Sequence, residues 1–350
     1  MKNFKINIFF KPEKGSRGGG SQFLRALKRN FIEKDIYEKN PSNARCILYN
    51  SHHNVQDILK LKLKYPLKTF IHRIDGPLGL IRGSSFKIDK LIYELNNFIA
   101  DGTIFQSNWC KNMNYSIGFK KTNIETVIMN AADDSIFYKE KEREIEDNKW
   151  KLISISWSSN INKGFDLYKY LDENLDFEKY SMIFVGNSPI KFRNIKQIRL
   201  LDSNKIADLL RASNIYITGS KNDPCSNSLI EALSCGLPCI ALNDGGHPEI
   251  LKQGGETFNT FEECLKKIQY VKENYSNYKN KLAVPNIDVI ANQYIRFMRK
   301  VYDLKSSNKY KNRKLKLIDY YRIIFKSFFF KTSNVKSIII KEFQRILNKN

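Results

Sequence analysis

The stretch from Ser220 to Leu251, SKNDPCSNSLIEALSCGLPCIALNDGGHPEIL, concentrates residue types that can hold a charged, hydroxyl-rich ligand. Ser226, Asn227 and Ser228 fall at a helix start. Their small side chains leave backbone N–H groups exposed at the positive end of the helix dipole, an anion site suited to a diphosphate. Glu231 lies one turn further in. A carboxylate there does not favour phosphate, but it accepts paired hydrogen bonds from vicinal hydroxyls such as those of a ribose. Asp223, eight residues earlier in the loop, is placed to hold sugar hydroxyls. Gly236 and Pro238 end the helix and start the next strand, and Gly245 and Gly246 allow close approach of backbone to a ligand.

The elements that must position these residues follow an alternating rhythm. Lys5 to Phe10, Arg45 to Asn50, Lys68 to Ile74 and Gly102 to Gln106 read as strands, with helical stretches such as Ser21–Phe31, Val55–Lys64 and Lys87–Ala100 between them. A charged run, residues 139–149, reads as a solvated linker. The rhythm then restarts, with strands at Trp150–Trp157, Tyr180–Gly186, Ile215–Gly219 and Cys239–Asn243. Two βαβα series argue for two parallel sheets, each covered by helices on both faces. Ligands in such sheets sit beyond the carboxyl ends of the strands, where the loops named above lie.

The pattern Asp223-x7-Glu231, then Gly236-Leu237-Pro238, then Gly245-Gly246-His247-Pro248-Glu249, resembles the GT-B glycosyltransferases of family 4. The resemblance covers residues 1 to 300. It adds Gly18, Gly19 and Gly20 as a loop near donor phosphates and acceptor. It also adds His72, in FIHRIDGP, near the reaction centre, with a structural histidine as the competing reading. IFQSNW looks like the family's serine-bearing loop after a strand, and IMNAADDSIF like its passage between domains. SWSSNINKG adds Lys163, which would pair with donor phosphates as a point charge. The sequence departs from the family where Asp223 replaces the usual Glu, where Ala131 replaces a Gly, and where Trp157 stands in place of an Arg six residues before Lys163.

The resemblance implies two Rossmann-like doubly wound domains facing across a cleft: an acceptor domain over 1–138 and a donor domain over 150–285. A helix over 286–304 would pack back on the first domain. It implies a retaining, metal-independent hexosyltransferase with no cofactor, acting on a UDP- or GDP-linked sugar. His72, Lys163, Asp223 and Glu231 would be catalytic. Gly19, Gly20, Lys163, Ser226, Asn227, Ser228, Glu231, Gly245 and Gly246 would hold the donor. The acceptor would be a glycan or lipid-linked, as in surface polysaccharide or lipopolysaccharide synthesis. Competing readings are an epimerase or phosphorylase on the same fold, or a non-enzymatic polyanion binder.

The 350-residue chain carries a formal net charge of +23, a field that attracts polyanions, with compositional bias toward lysine as the other source of the excess. From Lys305 to Asn350 it holds 13 Lys or Arg and 2 acidic residues, interleaved with Phe, Tyr, Ile and Leu. That segment, 305–350, reads as a basic amphipathic tail for an anionic membrane surface. Packing on the body of the protein is the competing reading, with nucleic-acid contact a third; nucleic acid is not the expected partner. Six cysteines without a C-x-x-C pair read as reduced, mostly buried thiols. The four histidines have no metal-ligand spacing, and no D-x-D occurs. The N-terminal apolar run is too short for a signal core and reads as a first strand. No stretch reaches transmembrane length, so the expectation is a cytoplasmic protein, peripheral on the membrane face.

Overall fold

The structure is a computed structural model that describes residues 4–10, 19–121, 124–140, 149–307, 309–310 and 313–328. The part of the glycine loop up to Gly18, most of the charged run and the tail beyond 328 lie outside the described residues.

The first half contains β1 (Ile6–Phe9), α1 (Gly19–Glu33), β2 (Cys46–Asn50), α2 (Val55–Lys64) and β3 (Thr69–Ile74). It continues with α3 (Leu78–Arg82), α4 (Lys87–Ile99), β4 (Gly102–Phe105), α5 (Asn108–Ser116) and β5 (Ile124–Val127). The five strands lie in the order β1-β2-β3-β4-β5, and every pair is parallel. Tyr37 makes a parallel bridge to Ile6 on the outer edge of β1. The chain therefore steps outward through α1 and then returns inward to β2. This reversal places a crevice at the carboxyl end of β1, where the glycine loop begins. All residues of β2, β3 and β4 are buried, as parallel strands covered on both faces require.

The second half contains β6 (Trp150–Ser156), a 3-10 turn (Ile161–Lys163), α6 (Phe165–Asn174), β7 (Tyr180–Gly186), β8 (Lys196–Ile198) and α7 (Ser203–Arg211). It continues with β9 (Ile215–Thr218), α8 (Asn227–Ser234), β10 (Cys239–Leu242), α9 (His247–Leu251), β11 (Gly255–Phe258), α10 (Phe261–Glu273), α11 (Tyr275–Lys281) and α12 (Ile287–Ser306). The sheet order is β11-β10-β9-β6-β7-β8, all parallel. The order reverses between β6 and β9, so the loops after these two strands flank the switch point, and they carry Lys163 and Asp223. Apolar clusters fill both faces of this sheet.

The last helix crosses back. Ile287, Ile290, Tyr294, Met298 and Val301 of α12 share one buried cluster with Phe23 and Leu27 of α1. Lys305 at its end donates to Asp101 at 2.8 Å and to the Lys68 carbonyl at 2.8 Å, with the Lys305 side chain only 4% exposed. Residues 317–328 are helical. Leu315 and Ile323 bury against Ile58, Leu59 and Leu91 of the first half, whereas Leu317, Ile318 and Tyr321 are exposed. The described part of the tail thus packs one side on the body and shows an apolar side to solvent. Among the described residues no helix is long and apolar enough to cross a membrane. All six cysteines are buried free thiols.

Candidate functional site

Between the carboxyl ends of the two sheets lies a cleft of about 430 Å3. From the second half it is lined by Lys163, Asp223, Ser226, Asn227, Ser228 and Glu231, and from the first half by Gly20, Asp75, Arg82 and Gln106.

Lys163 ends the 3-10 turn, which Asn160 caps through its side chain. Gly164 follows with φ +79°, and a Cβ there would stand 2.4 Å from the Gly219 backbone. Only glycine lets the turn after β6 lie against the end of β9. That approach brings the Lys163 Nζ to 3.0 Å from Asp223 Oδ2 and 3.3 Å from Ser220 Oγ. Burial alone would push the Asp223 carboxyl up; Lys163 and His247 outweigh it and hold its pKa below the usual value. Lysine and acid are therefore a preformed ion pair in the cleft wall.

Gly245 and Gly246 have a different task from the one expected. A Cβ on Gly245 would sit 2.3 Å from the Asp223 carbonyl oxygen, and one on Gly246 2.5 Å from that of Pro224. The Gly246 N–H donates to the Asp223 carbonyl at 2.8 Å, and the Asp244 carboxylate accepts from the Asn222 N–H at 2.9 Å. The pair lies behind the acidic loop and holds its backbone; neither glycine lines the cleft.

α8 starts at the cleft. Its N-cap, Ser226, makes no capping bond through its side chain, which lies 3.4 Å from Ser228 Oγ instead, so the cap leaves the N–H groups of the first turn unoccupied. The Tyr216 hydroxyl donates to Ser228 Oγ at 2.8 Å and fixes that side chain. Glu231 follows one turn on, and burial pushes its carboxyl pKa up to about 8. Burial is the sole cause of that shift, and among the described residues no ion pair offsets it.

His72 is not at the cleft. It lies inside β3, fully buried and stacked on Tyr49 with centroids 4.2 Å apart. Its Nε2 is 3.0 Å from the Ser51 carbonyl and its Nδ1 3.2 Å from Asn96 Nδ2, and burial pushes its pKa down to about 3. Both ring nitrogens are engaged, so it cannot reach a ligand. Asp75, just past the strand end, lines the cleft in its place. Asp75 Oδ1 accepts from Arg73 Nη1 at 2.8 Å and from Gln106 Nε2 at 2.7 Å. Burial alone would raise the Asp75 pKa; Arg73 and the His53 and His52 rings outweigh it and hold it low. Gly19 opens α1, and Gly20 lines the cleft with open space above it.

The two halves are bonded at the site. Asn130 donates to Asn227 at 3.0 Å and to Gln106 at 3.1 Å, and Ser107 donates to the Pro224 carbonyl at 2.6 Å. The Glu249 carboxylate accepts the N–H groups of Asn108 at 2.8 Å and Trp109 at 2.7 Å, capping α5 from across the interface. Sequence reasoning passed over Asp75, Arg82, Gln106 and Asn130 as site residues. The available signal was position: Asp75 and Gln106 stand just beyond the carboxyl ends of β3 and β4 and line the cleft, whereas His72 lies in the middle of β3.

Residues 139–283 match the family of glycosyl transferases group 1. Uncharacterized protein 356 of Sulfolobus islandicus rod-shaped virus 1 is 26% identical over 251 residues, 60% of this chain and 70% of that protein. N-acetyl-alpha-D-glucosaminyl L-malate synthase of Bacillus anthracis is 28% identical over 149 residues, 38% of this chain and 39% of that one. Among solved structures, sucrose-phosphate synthase of Thermosynechococcus elongatus superposes with a TM-score of 0.60 at 13% identity, covering 81% of this chain and 79% of its own. Anabaena HepE in complex with UDP-glucose gives 0.61 at 15% identity, covering 87% and 99%. The fold is that of the two-domain GT-B glycosyltransferases, and within it the segment 139–283 resembles the glycosyl transferases of group 1.

Proposed function

We propose that the chain transfers a sugar, with retention and without a metal ion, from a nucleoside-diphosphate donor to a glycan or lipid-linked acceptor. The observation that carries this reading is the convergence of Lys163, Asp223, Glu231 and the start of α8 on one cleft at the β6/β9 switch point. The donor diphosphate lies at the α8 N-terminus within reach of Lys163, Glu231 takes the ribose hydroxyls, and Asp223 takes hydroxyls of the sugar. The bond from the anomeric carbon to the diphosphate breaks and a bond to an acceptor hydroxyl oxygen forms, with the acceptor's proton passing to the departing diphosphate oxygen. The leaving group gains charge as it departs, and the preorganised cation and helix dipole stabilise it. The acceptor enters on the Asp75 side. No cofactor is needed, since the nucleotide-sugar is itself a substrate, UDP- or GDP-linked.

A thermal-shift panel of UDP-, GDP- and ADP-sugars tests the reading. One nucleotide class should stabilise the protein by about 2.7 kcal/mol at a hundredfold excess over Kd, and Glu231→Ala should lose the effect. Donor should be consumed only when acceptor is present; no shift with any class, or consumption without acceptor, would reject transfer. The acceptor's location is proposed to be an anionic membrane surface, reached through the apolar, basic tail. Its support is the exposed side of residues 317–328. Retention of the chain by anionic but not neutral vesicles is the expected result, and equal behaviour with both would exclude it.

A further inference from the structure

Among the described residues, the charged side chains lining the cleft are Asp75, Arg82, Lys163, Asp223 and Glu231. Their charges are not equally available. Asp75 is neutralised by buried Arg73 and Asp223 by Lys163. Glu231 has no cation partner and is kept uncharged near neutrality by burial. Arg82 is exposed and, among the described residues, makes no salt bridge. Among the described residues, a diphosphate entering this cleft therefore meets one cation already in a close ion pair and one, Arg82, whose charge is drawn only by the more distant Asp89 carboxylate.

We propose that Arg82, contributed by the first half of the chain, is the second cation of the diphosphate site and grips the donor beside Lys163. This rests on the nucleotide-sugar reading above. The geometry fixes the two cations relative to each other. Asn162, the neighbour of Lys163, donates through its side chain to the carbonyls of Leu80 at 3.0 Å and Ile81 at 3.1 Å. Asn160 donates to the Arg82 carbonyl at 3.2 Å. The turn that carries Lys163 is thus bonded directly to the end of the helix that carries Arg82. The same bonds occupy the carbonyls at the C-terminal end of α3, which would otherwise turn partial negative charge toward an anion. A guanidinium suits this place because its fixed charge and forked donors engage two phosphate oxygens at once. With one cation from each half of the chain, diphosphate binding also holds the two halves together.

Calorimetric titration with UDP, GDP and ADP, and with the parent nucleosides, tests the clamp. For the diphosphate that the wild type binds, Arg82→Ala should weaken affinity on the order of 10- to 100-fold. Nucleoside affinity and melting temperature should stay unchanged, and Arg82→Lys should fall between. Diphosphate affinity within about twofold of wild type in Arg82→Ala would overturn the clamp while leaving the donor reading standing. Failure of the wild type to bind any of the three would remove the donor reading, and the clamp with it.

Discussion

The two walls of the cleft are built in different ways. The wall from the second half is dominated by one continuous stretch whose parts hold one another: Gly245 and Gly246 back the acidic loop, Glu231 stands one turn into α8, and Lys163, sixty residues earlier, is tied to it through Asp223. The wall from the first half is an assembly of single residues. Asp75 follows β3, Arg82 ends α3 and Gln106 follows β4, each from a different segment. A ligand common to many related proteins can be held by a motif that travels as a unit. A partner that differs between them suits separate positions that can change one at a time. Donor on the wall of the second half, with Arg82 reaching it from the first, and acceptor on the rest of the first half's wall is the division this contrast supports.

The largest expected effect tests the donor wall. Lys163→Ala removes a charge aimed at the leaving group, and should lower kcat by about 10²–10³-fold, equivalent to about 2.7–4 kcal/mol of barrier. The freed Asp223 carboxylate would then face the diphosphate unpaired, which adds to the loss. Steady-state rates with saturating donor give the answer directly. A variant retaining more than about a third of wild-type kcat would place the leaving group elsewhere in the cleft and dissolve the contrast between the walls.

The second test concerns the acceptor wall, through the residue expected there and found elsewhere. His72→Ala leaves the Ser51 carbonyl and the Asn96 amide short of a partner inside the sheet, so unfolding free energy should fall by about 1–3 kcal/mol. Turnover by the folded fraction should be unaltered. Denaturant titration paired with rates corrected for folded protein separates the two. A kcat loss without a stability loss would return His72 to the chemistry.

How far the sequence could be read follows from the same contrast. The strands from β1 to β4 and from β6 to β10 announce themselves, except β8, because buried parallel strands are continuous apolar runs. β8 has only the residues KQI, with Lys196 and Gln197 exposed at the sheet edge, and carries no such signal. The acidic loop and α8 were legible because their residues are contiguous. The purpose of Gly245 and Gly246 was not, since a glycine that admits backbone and one that admits ligand look alike in sequence. The cross-interface contacts, Glu249 on α5 and Asn130 on Asn227, join residues about a hundred or more positions apart and have no local signature. His72 misled because a histidine near a strand end suggests chemistry, whereas its position within β3 turns it into the interior.

The smallest expected effect is a pH dependence, and it sharpens the role of the donor wall. Burial raises the Glu231 carboxyl to about 8, so in the free protein it is mostly protonated at pH 7. A carboxyl raised in the folded state costs stability as pH rises from its unfolded value toward 8, because the unfolded chain has already released the proton. Ribose hydroxyls favour the ionised form by donating to it, which lowers the pKa in the complex. Binding then expels a proton, and affinity rises with pH until the free carboxyl has itself ionised near 8. A nucleotide-sugar is the right probe, because its diphosphate is esterified at both ends and has no proton to lose in this range. Its Kd should fall by at most about tenfold per unit between pH 6 and 8, and Glu231→Gln should flatten the profile. A slope that survives in Glu231→Gln would assign the proton to another group and leave Glu231 without its ribose.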